Sequence, residues 1–403
     1  MTATRLQDRP LMIALAGTLS LAIAMGIGRF AFTPLMPMML HDGLLDITAA
    51  SWLASVNYFG YLVGALLCTF QPAMWRRLAL APLRPSAMLK LGLVATCILT
   101  AAMSLHEPRA WPWLRFLAGV ASSVAFVFTS AWCLGHLSRL KAPQAGGIVY
   151  AGPGVGIVAS GLLATVMVQL DWASSSGWQA FGVLAVLLTL LVWPVFTHDE
   201  TLPPPAAAQA AAGNSGHTEK IALTIAYGLA GFGYIITATF LPVIARAALP
   251  GSVWLDLFWP ILGMGVAVGA VLASRISAQV DQRLLLVGCY LMQAAGVMMG
   301  EWLPTLAGFA LGSILVGLPF TAITFFVMQV GRRLHPQSAS TIIGLLSAAF
   351  ALGQIVGPPV AAALLARAPD RATGFTWSLQ VAALTLVAGA LIYAWMVRAF
   401  RRS

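Results

Sequence analysis

Gly26-Ile-Gly28-Arg29-Phe-Ala-Phe-Thr-Pro-Leu-Met-Pro37 is matched 205 residues later by Gly231-Phe-Gly233-Tyr234-Ile-Ile-Thr-Ala-Thr-Phe-Leu-Pro242. Each stretch sets Gly-x-Gly ahead of an apolar run and closes on proline. Gly60-Tyr-Leu-Val-Gly64-Ala-Leu-Leu67 and Gly265-Val-Ala-Val-Gly269-Ala-Val-Leu272 repeat the offset of 205, and so do Gly152-Pro153 and Gly357-Pro358. One such match means little in a chain with 38 glycines. Three at one spacing, each in the corresponding apolar segment, describe a duplicated unit.

The chain has 403 residues, of which 60% are hydrophobic and 8% charged. A soluble domain carries roughly 25% charged residues, so a soluble globular enzyme and a disordered chain are excluded. Crossing a bilayer takes about 20 apolar residues in a helix. Twelve segments qualify: 11–39, 50–71, 86–105, 111–137, 145–168, 178–197, 220–246, 253–275, 284–302, 304–331, 338–365 and 375–397. The fold class expected is an all-α polytopic membrane protein, twelve transmembrane helices in two parallel six-helix repeats. The first half is expected over 1–197 and the second over 220–403. Residues 198–219, poor in large apolar side chains and rich in Pro, Ala and Gly, read as a flexible cytoplasmic linker. Segment 1 is too long for the core of a secretory signal, and Arg29, Pro34 and Pro37 do not suit a cleavage site, so a retained helix is expected. Cys68, Cys97, Cys133 and Cys289 all fall inside segments and read as small packing residues.

The net charge of +10 could suggest nucleic acid, but the basic residues sit between apolar runs, without the hydrated basic face that partner requires. No nucleic-acid partner is expected. Positive residues in short loops mark the cytoplasmic side. Of the 22 Lys and Arg, sixteen fall at the termini or in even-numbered loops, four in odd-numbered loops, and two, Arg29 and Arg115, inside segments. Both termini are therefore expected in the cytoplasm.

An arginine within a span costs at least about 2.5 kcal/mol, so Arg29 and Arg115 need a cavity or a partner. Arg29 could face a cavity and attract an anionic or carbonyl group. Equally, it could hold backbone carbonyls freed by Pro34 and Pro37, or pair with Asp256. Arg115, Ser122, Thr129 and His136 recur every seven residues, which keeps them close to one helical face. That polar stripe reads as water- or partner-facing, or as hydroxyls bonding back to their own helix. No Asp or Glu lies deep in a segment. If transport is coupled to protons, the carrier falls to Asp256, Glu107, Glu301, His136 or the substrate itself. Histidine is the side chain whose unperturbed charge change falls in the physiological range, but His136 also suits an interface. Of the other polar groups, including Asn57, Tyr58, Tyr150 and Gln354, most read as interhelical glue. Tyr234, Thr237, Thr321 and Thr324 are kept as cavity candidates. No Gly-x-x-x-x-Gly-Lys-Ser/Thr occurs and no strand precedes the Gly-x-Gly strings, so neither ATP nor a dinucleotide cofactor is expected. Six scattered histidines and no acid pair give no basis for an embedded enzyme. A non-transporting sensor is the other class weighed, and it lacks a folded soluble module.

Parallel six-helix repeats describe the halves of major facilitator transporters, and the resemblance extends to motifs. Arg115-Phe-Leu-Ala-Gly119 is similar to the family's Arg-x-x-x-Gly in helix 4. Gly147-x-x-x-x-Gly152-Pro153-x-x-Gly156 is similar to the Gly-Pro motif shared by many of its antiporters. The loop 2–3 signature opens at Gly64 but lacks its Asp, leaving Arg76 and Arg77, whereas Gly269-Ala-Val-Leu-Ala-Ser-Arg275 keeps more of it. The Gly26–Pro37 run resembles the bacterial YbfB/YjiJ-like branch. The resemblance implies a secondary transporter in the bacterial inner membrane, a small-molecule substrate bound near the midplane, and alternating access by rocking of the halves. It also implies a proton-exchange role for Arg115. In such a fold the Gly-x-x-x-Gly pairs Gly60/Gly64, Gly152/Gly156, Gly265/Gly269 and Gly353/Gly357, with Pro153 and Pro358, would form the sliding contact between halves. A monomer in the lipid bilayer is expected, leaning toward export of an anionic or neutral solute.

Overall fold

A computed structural model describes residues 9–78, 84–105, 107–196, 217–249, 252, 254–277, 279–334 and 339–400. Among them lie twelve helices long and apolar enough to cross a membrane, as the apolar segments predict. In chain order the first six are α1 (Pro10–His41), α2 (Ile47–Arg77), α3 (Pro85–Ala102), α4 (Trp111–Arg139), α5 (Gly146–Gln169) and α6 (Ser174–Val192). The next six are α7 (His217–Ala248), α8 (Leu255–Arg275), α9 (Gln282–Trp302), α10 (Leu306–Leu334), α11 (Ala339–Arg367) and α12 (Arg371–Ala399). Most of the expected linker lies outside the described residues, but His217, Thr218 and Glu219 already belong to α7.

Local chemistry sets several ends. Prolines open α1 and α3, where the missing N–H is no loss. Asp281 caps α9 by accepting from Arg283 N, and Asp370 caps α12 by accepting from Thr373 N. That backbone donor holds the Asp370 carboxyl below the usual carboxylate range. Large apolar side chains point outward, among them Leu187 and Leu191 on α6 and Leu384 and Leu391 on α12. Such faces suit hydrocarbon and not water.

The chain forms two compact units, Met1–Leu202 and Pro203–Ser403. In the first, α2 packs along α4, α3 on α4 and α6, and α1 on α5. In the second, α8 packs along α10, α9 on α10 and α12, and α7 on α11. The same neighbours recur six helices apart, which is the duplication seen in space.

The glycine pairs make these seams. A Cβ on Gly60 would meet the Phe116 backbone, and one on Gly64 would lie 2.8 Å from Val120 O, both on α4. Gly265 and Gly269 face Gly317 and Leu318 on α10. Gly152 and Gly156 face Thr18, Ala22 and Gly26 on α1, while Gly353 and Gly357 face Gly228, Phe232 and Ile235 on α7. Every one of these approaches is inside a half. The missing Cβ atoms let backbones of one bundle touch.

The seams also correct the single offset. Gly119 abuts Asn57 and Gly60, and Gly317 abuts Leu262 and Gly265. Asn57 to Leu262 is 205 residues, but Gly119 to Gly317 is 198. On α1 and α5, Gly26 meets Gly156, and on α7 and α11, Gly231 meets Gly353. Gly26 to Gly231 is 205, but Gly156 to Gly353 is 197. The register slips because α2 runs to Arg77, while α8 stops at Arg275. The Gly152-Pro153 and Gly357-Pro358 pairs therefore do not occupy equivalent places.

One buried ionic tie holds the second half. Arg283 on α9 donates to Glu219 on α7 at 3.0 Å, to Asp281 at 3.0 Å and to Phe400 O, just past α12, at 2.8 Å. The Arg283 and Glu219 side chains are 7% and 11% exposed, so the sequence-based placement of Glu219 in a solvated linker does not hold. Glu219→Gln keeps the volume and loses the charge, at a cost of about 1–2 kcal/mol. Its melting temperature in detergent is expected to fall by roughly 5 °C. An unchanged melting curve would show the tie to be structurally idle.

Candidate functional site

The first-half site grows from a break in α1. Ordinary α-helix runs over Pro10–Leu21, a π-helical turn over Ala22–Ile27, and α-helix resumes at Phe32–His41. Gly28 N and Phe30 N reach back to Ile23 O and Met25 O, each at 2.9 Å. Wide turns of this kind recur at functional sites because they leave backbone groups for other partners. Arg115 on α4 takes two of them, donating to Arg29 O at 3.3 Å and, more weakly, to Gly28 O at 3.5 Å. Arg115 thus holds carbonyls at the break in α1.

Arg29 is buried, with its guanidinium carbon 4.3 Å from the Tyr61 ring centroid and 5.0 Å from that of Tyr58. Tyr58 and Tyr61 are three apart on α2 and so share a face. Arg115 is 2% exposed and lies 4.8 Å from the Phe32 ring. Desolvated cation–aromatic contacts contribute about 2 kcal/mol each. They stabilise a guanidinium in apolar surroundings without neutralising it. Among the described residues no carboxylate comes within ion-pair reach of Arg115. Asn57 Nδ2 donates to Arg115 O at 2.8 Å and fixes the α2–α4 approach beneath the site.

Ser122 joins this cluster, since a Cβ on Gly28 would lie 2.7 Å from its Oγ. The Ser122, Ser123 and Thr129 hydroxyls are buried without a hydrogen-bond partner among the described residues. Buried orphans of this kind call for water or ligand, which suits the water-facing alternative for the stripe. The stripe changes character at its far end. His136 stacks on Trp132 at 3.7 Å between centroids, and its Nδ1 lies 2.9 Å from Trp132 O. That is the setting of an interface residue.

The second-half residues divide. Tyr234, the repeat partner of Arg29, accepts from Gln354 Nε2 and packs on Phe320 and Phe350. Tyr227 donates to Thr324 Oγ1 at 3.0 Å and stacks on Phe350 at 4.5 Å. Tyr234 and Thr324 thus flank one aromatic cluster. Tyr227, Phe320 and Phe350 were not singled out in the sequence, where isolated aromatics in apolar segments carry no signal. Thr321 donates to Val266 O at 3.2 Å and joins α10 to α8. Thr237 stands apart from the aromatic cluster, beside α9. Asp256 pairs with Arg246, at the end of α7, and its carboxylate is engaged.

Comparison with known proteins adds the family. The family described as "Uncharacterised MFS-type transporter YbfB" matches residues 21–394. The "Uncharacterized MFS-type transporter YceJ" of Bacillus subtilis (strain 168) is 25% identical over 385 residues, covering 91% of this chain and 93% of that protein. Among solved structures, a mutant of the nucleoside transporter NupG superposes with a TM-score of 0.71 at 14% identity, covering 95% of this chain and 99% of that one. The human organic anion transporter MFSD10 (TETRAN) gives 0.63 at 13% identity, covering 96% and 99%. At those identities the likeness is one of fold. With the duplicated bundles, the Arg115–Gly119 motif and a family match over nearly the whole length, the chain belongs to the YbfB-like branch of the major facilitator transporters.

Proposed function

We propose that the protein is a secondary active transporter of a small organic anion, working by alternating access in the bacterial inner membrane and exporting its substrate as a monomer. Arg115 carries the reading. It is a fully buried cation on a span, held by two carbonyls and an aromatic ring, with no carboxylate beside it among the described residues. A charge so placed is costly unless a partner visits it. A carboxylate or phosphate-like group on the substrate is that partner, since a guanidinium pairs with planar oxyanions through two donors. Arg29 adds a second positive charge to the same cluster. The Ser122 hydroxyl supplies a polar contact for the rest of the solute. Export is supported by the likeness of Gly147–Gly156 to the antiporter motif.

The test is flux. Purified protein in liposomes preloaded with a panel of organic anions is expected to release one class faster than protein-free vesicles when a proton gradient is imposed. Movement of cations or neutral solutes alone would overturn the assignment of charge.

A further inference from the structure

The slip in the repeat register makes an unexpected pair of positions equivalent. With the offset of 205 on α1 and α7, Phe32 corresponds to Thr237, and with 198 on α4 and α10, Arg115 corresponds to Ser313. In the first half these positions hold two large side chains in contact, 4.8 Å from guanidinium carbon to ring centroid. In the second half they hold two small hydroxyls. The space is not refilled: a cavity of about 20 Å³ remains, lined by Thr237, Ser313 and Glu301. That volume accommodates a single water or ion. Gly296, Gly300 and Gly312 also line it and offer no side chain to close it.

Three polar residues are among those that line it. Thr237 is 5% exposed and its Oγ1 has no hydrogen-bond partner among the described residues. Ser313 donates to Phe309 O at 2.8 Å, which leaves its oxygen lone pairs to accept. At the rim, Glu301 Oε2 accepts from Thr376 Oγ1 on α12 at 2.8 Å, so one carboxylate oxygen is positioned and the other remains for a ligand. From α7 come Thr237, Leu241 and Ile244, from α10 Phe309 and Ser313, from α12 Leu379. None of these titrates, and Glu301 is the single ionisable group of the lining.

We propose that this cavity binds one small monovalent cation, a proton carried on water or a sodium ion, with the Glu301 carboxylate as its charge and Thr237 and Ser313 as neutral oxygen ligands. Hard oxygen donors suit such an ion and not a soft metal. A single carboxylate balances one positive charge and leaves a calcium ion, which draws six to eight oxygens and more than one carboxylate, under-compensated. The first half therefore holds a permanent cation where the second holds an exchangeable one. The proposal extends the transporter reading by giving it a coupling-ion site, yet its test needs no substrate.

The full-length protein in lipid vesicles is treated with a membrane-permeable carbodiimide, which reacts with protonated carboxyls. Labelling of the Glu301 peptide is read by mass spectrometry from acid to alkaline pH, in sodium or choline chloride at equal ionic strength. Labelling is expected to fall as pH rises. Thr237→Val, nearly isosteric, is expected to move the half-labelling pH by about one unit, a tenfold change in proton affinity. Suppression by sodium at fixed pH, lost in Thr237→Val, identifies sodium as the ion; indifference to sodium with the pH shift retained identifies the proton. A Glu301 that never labels, or labels identically in wild type and Thr237→Val while both elute as folded protein, overturns the site. Because no solute is present, failure here leaves anion transport standing, and a missing flux leaves this result intact.

Discussion

Arg115→Ala is expected to lower the flux of the transported anion at least about a hundredfold while the protein still inserts and elutes as a single species. Loss of one partner from a buried charge pair costs about 3–5 kcal/mol, and each 1.4 kcal/mol is roughly a tenfold loss of affinity. Lysine does not replace it. Arg115→Lys keeps the charge but loses the planar fork that reaches the Gly28 and Arg29 carbonyls and the flat stacking on Phe32. Its flux is expected near one tenth of wild type. Arg29→Ala removes the neighbouring charge from its tyrosine cage and is expected to abolish transport as well. Initial rates at equal protein density in the vesicle membrane decide the matter. Wild-type rates in Arg29→Ala and Arg115→Ala would remove both residues from the site.

Gly60→Val is expected to eliminate most folded protein. The new Cβ would land on the Phe116 carbonyl of α4, where the obstacle is backbone and cannot rotate away. Inserting carbon into a packed seam costs about 1–3 kcal/mol when side chains can yield, and more when they cannot. Native states hold only about 5–15 kcal/mol in reserve. Gly26→Val meets the Gly156 backbone and is expected to behave alike. Gly288 on α9 is the internal control, because nothing lies within 4 Å of a Cβ built there. Gly288→Ala should express and elute as wild type. Gel filtration of detergent extracts separates these outcomes. A folded Gly60→Val would mean that the α2–α4 seam is looser than its atoms indicate.

The twelve spans and the duplication were legible because both are written in runs: long apolar stretches and glycines at fixed spacing. Arg29, Arg115 and Ser122 were legible as polar exceptions within such runs, and the structure brings the three together at the break in α1. What the glycines touch was not legible. A Gly-x-x-x-Gly pair announces close approach without naming the partner, and here the partner is always in the same half. The turn count of α1 was hidden too, since Ala22–Ile27 is as apolar as any regular turn. Glu219 reads as a linker acid because its three-residue helical extension has no apolar signal. Only its contact with Arg283, 64 residues away, reveals a buried ion pair. The second-half cavity depends on the register slip, which no single motif carries.

The wide turn in α1 fixes an azimuth. An α-helix advances 100° per residue, so an extra residue accommodated within a turn rotates the residues just after it by about that angle, until the winding tightens again. The direction of Arg29 is therefore set upstream, in a stretch from Ala22 to Ile27 that contains no polar side chain. In α7, continuous from His217 to Ala248, no such rotation precedes Tyr234. Arg29 and Tyr234, matching positions just past this stretch, are thus presented to different neighbours, and a local shift in backbone winding is enough to give the halves unlike interiors.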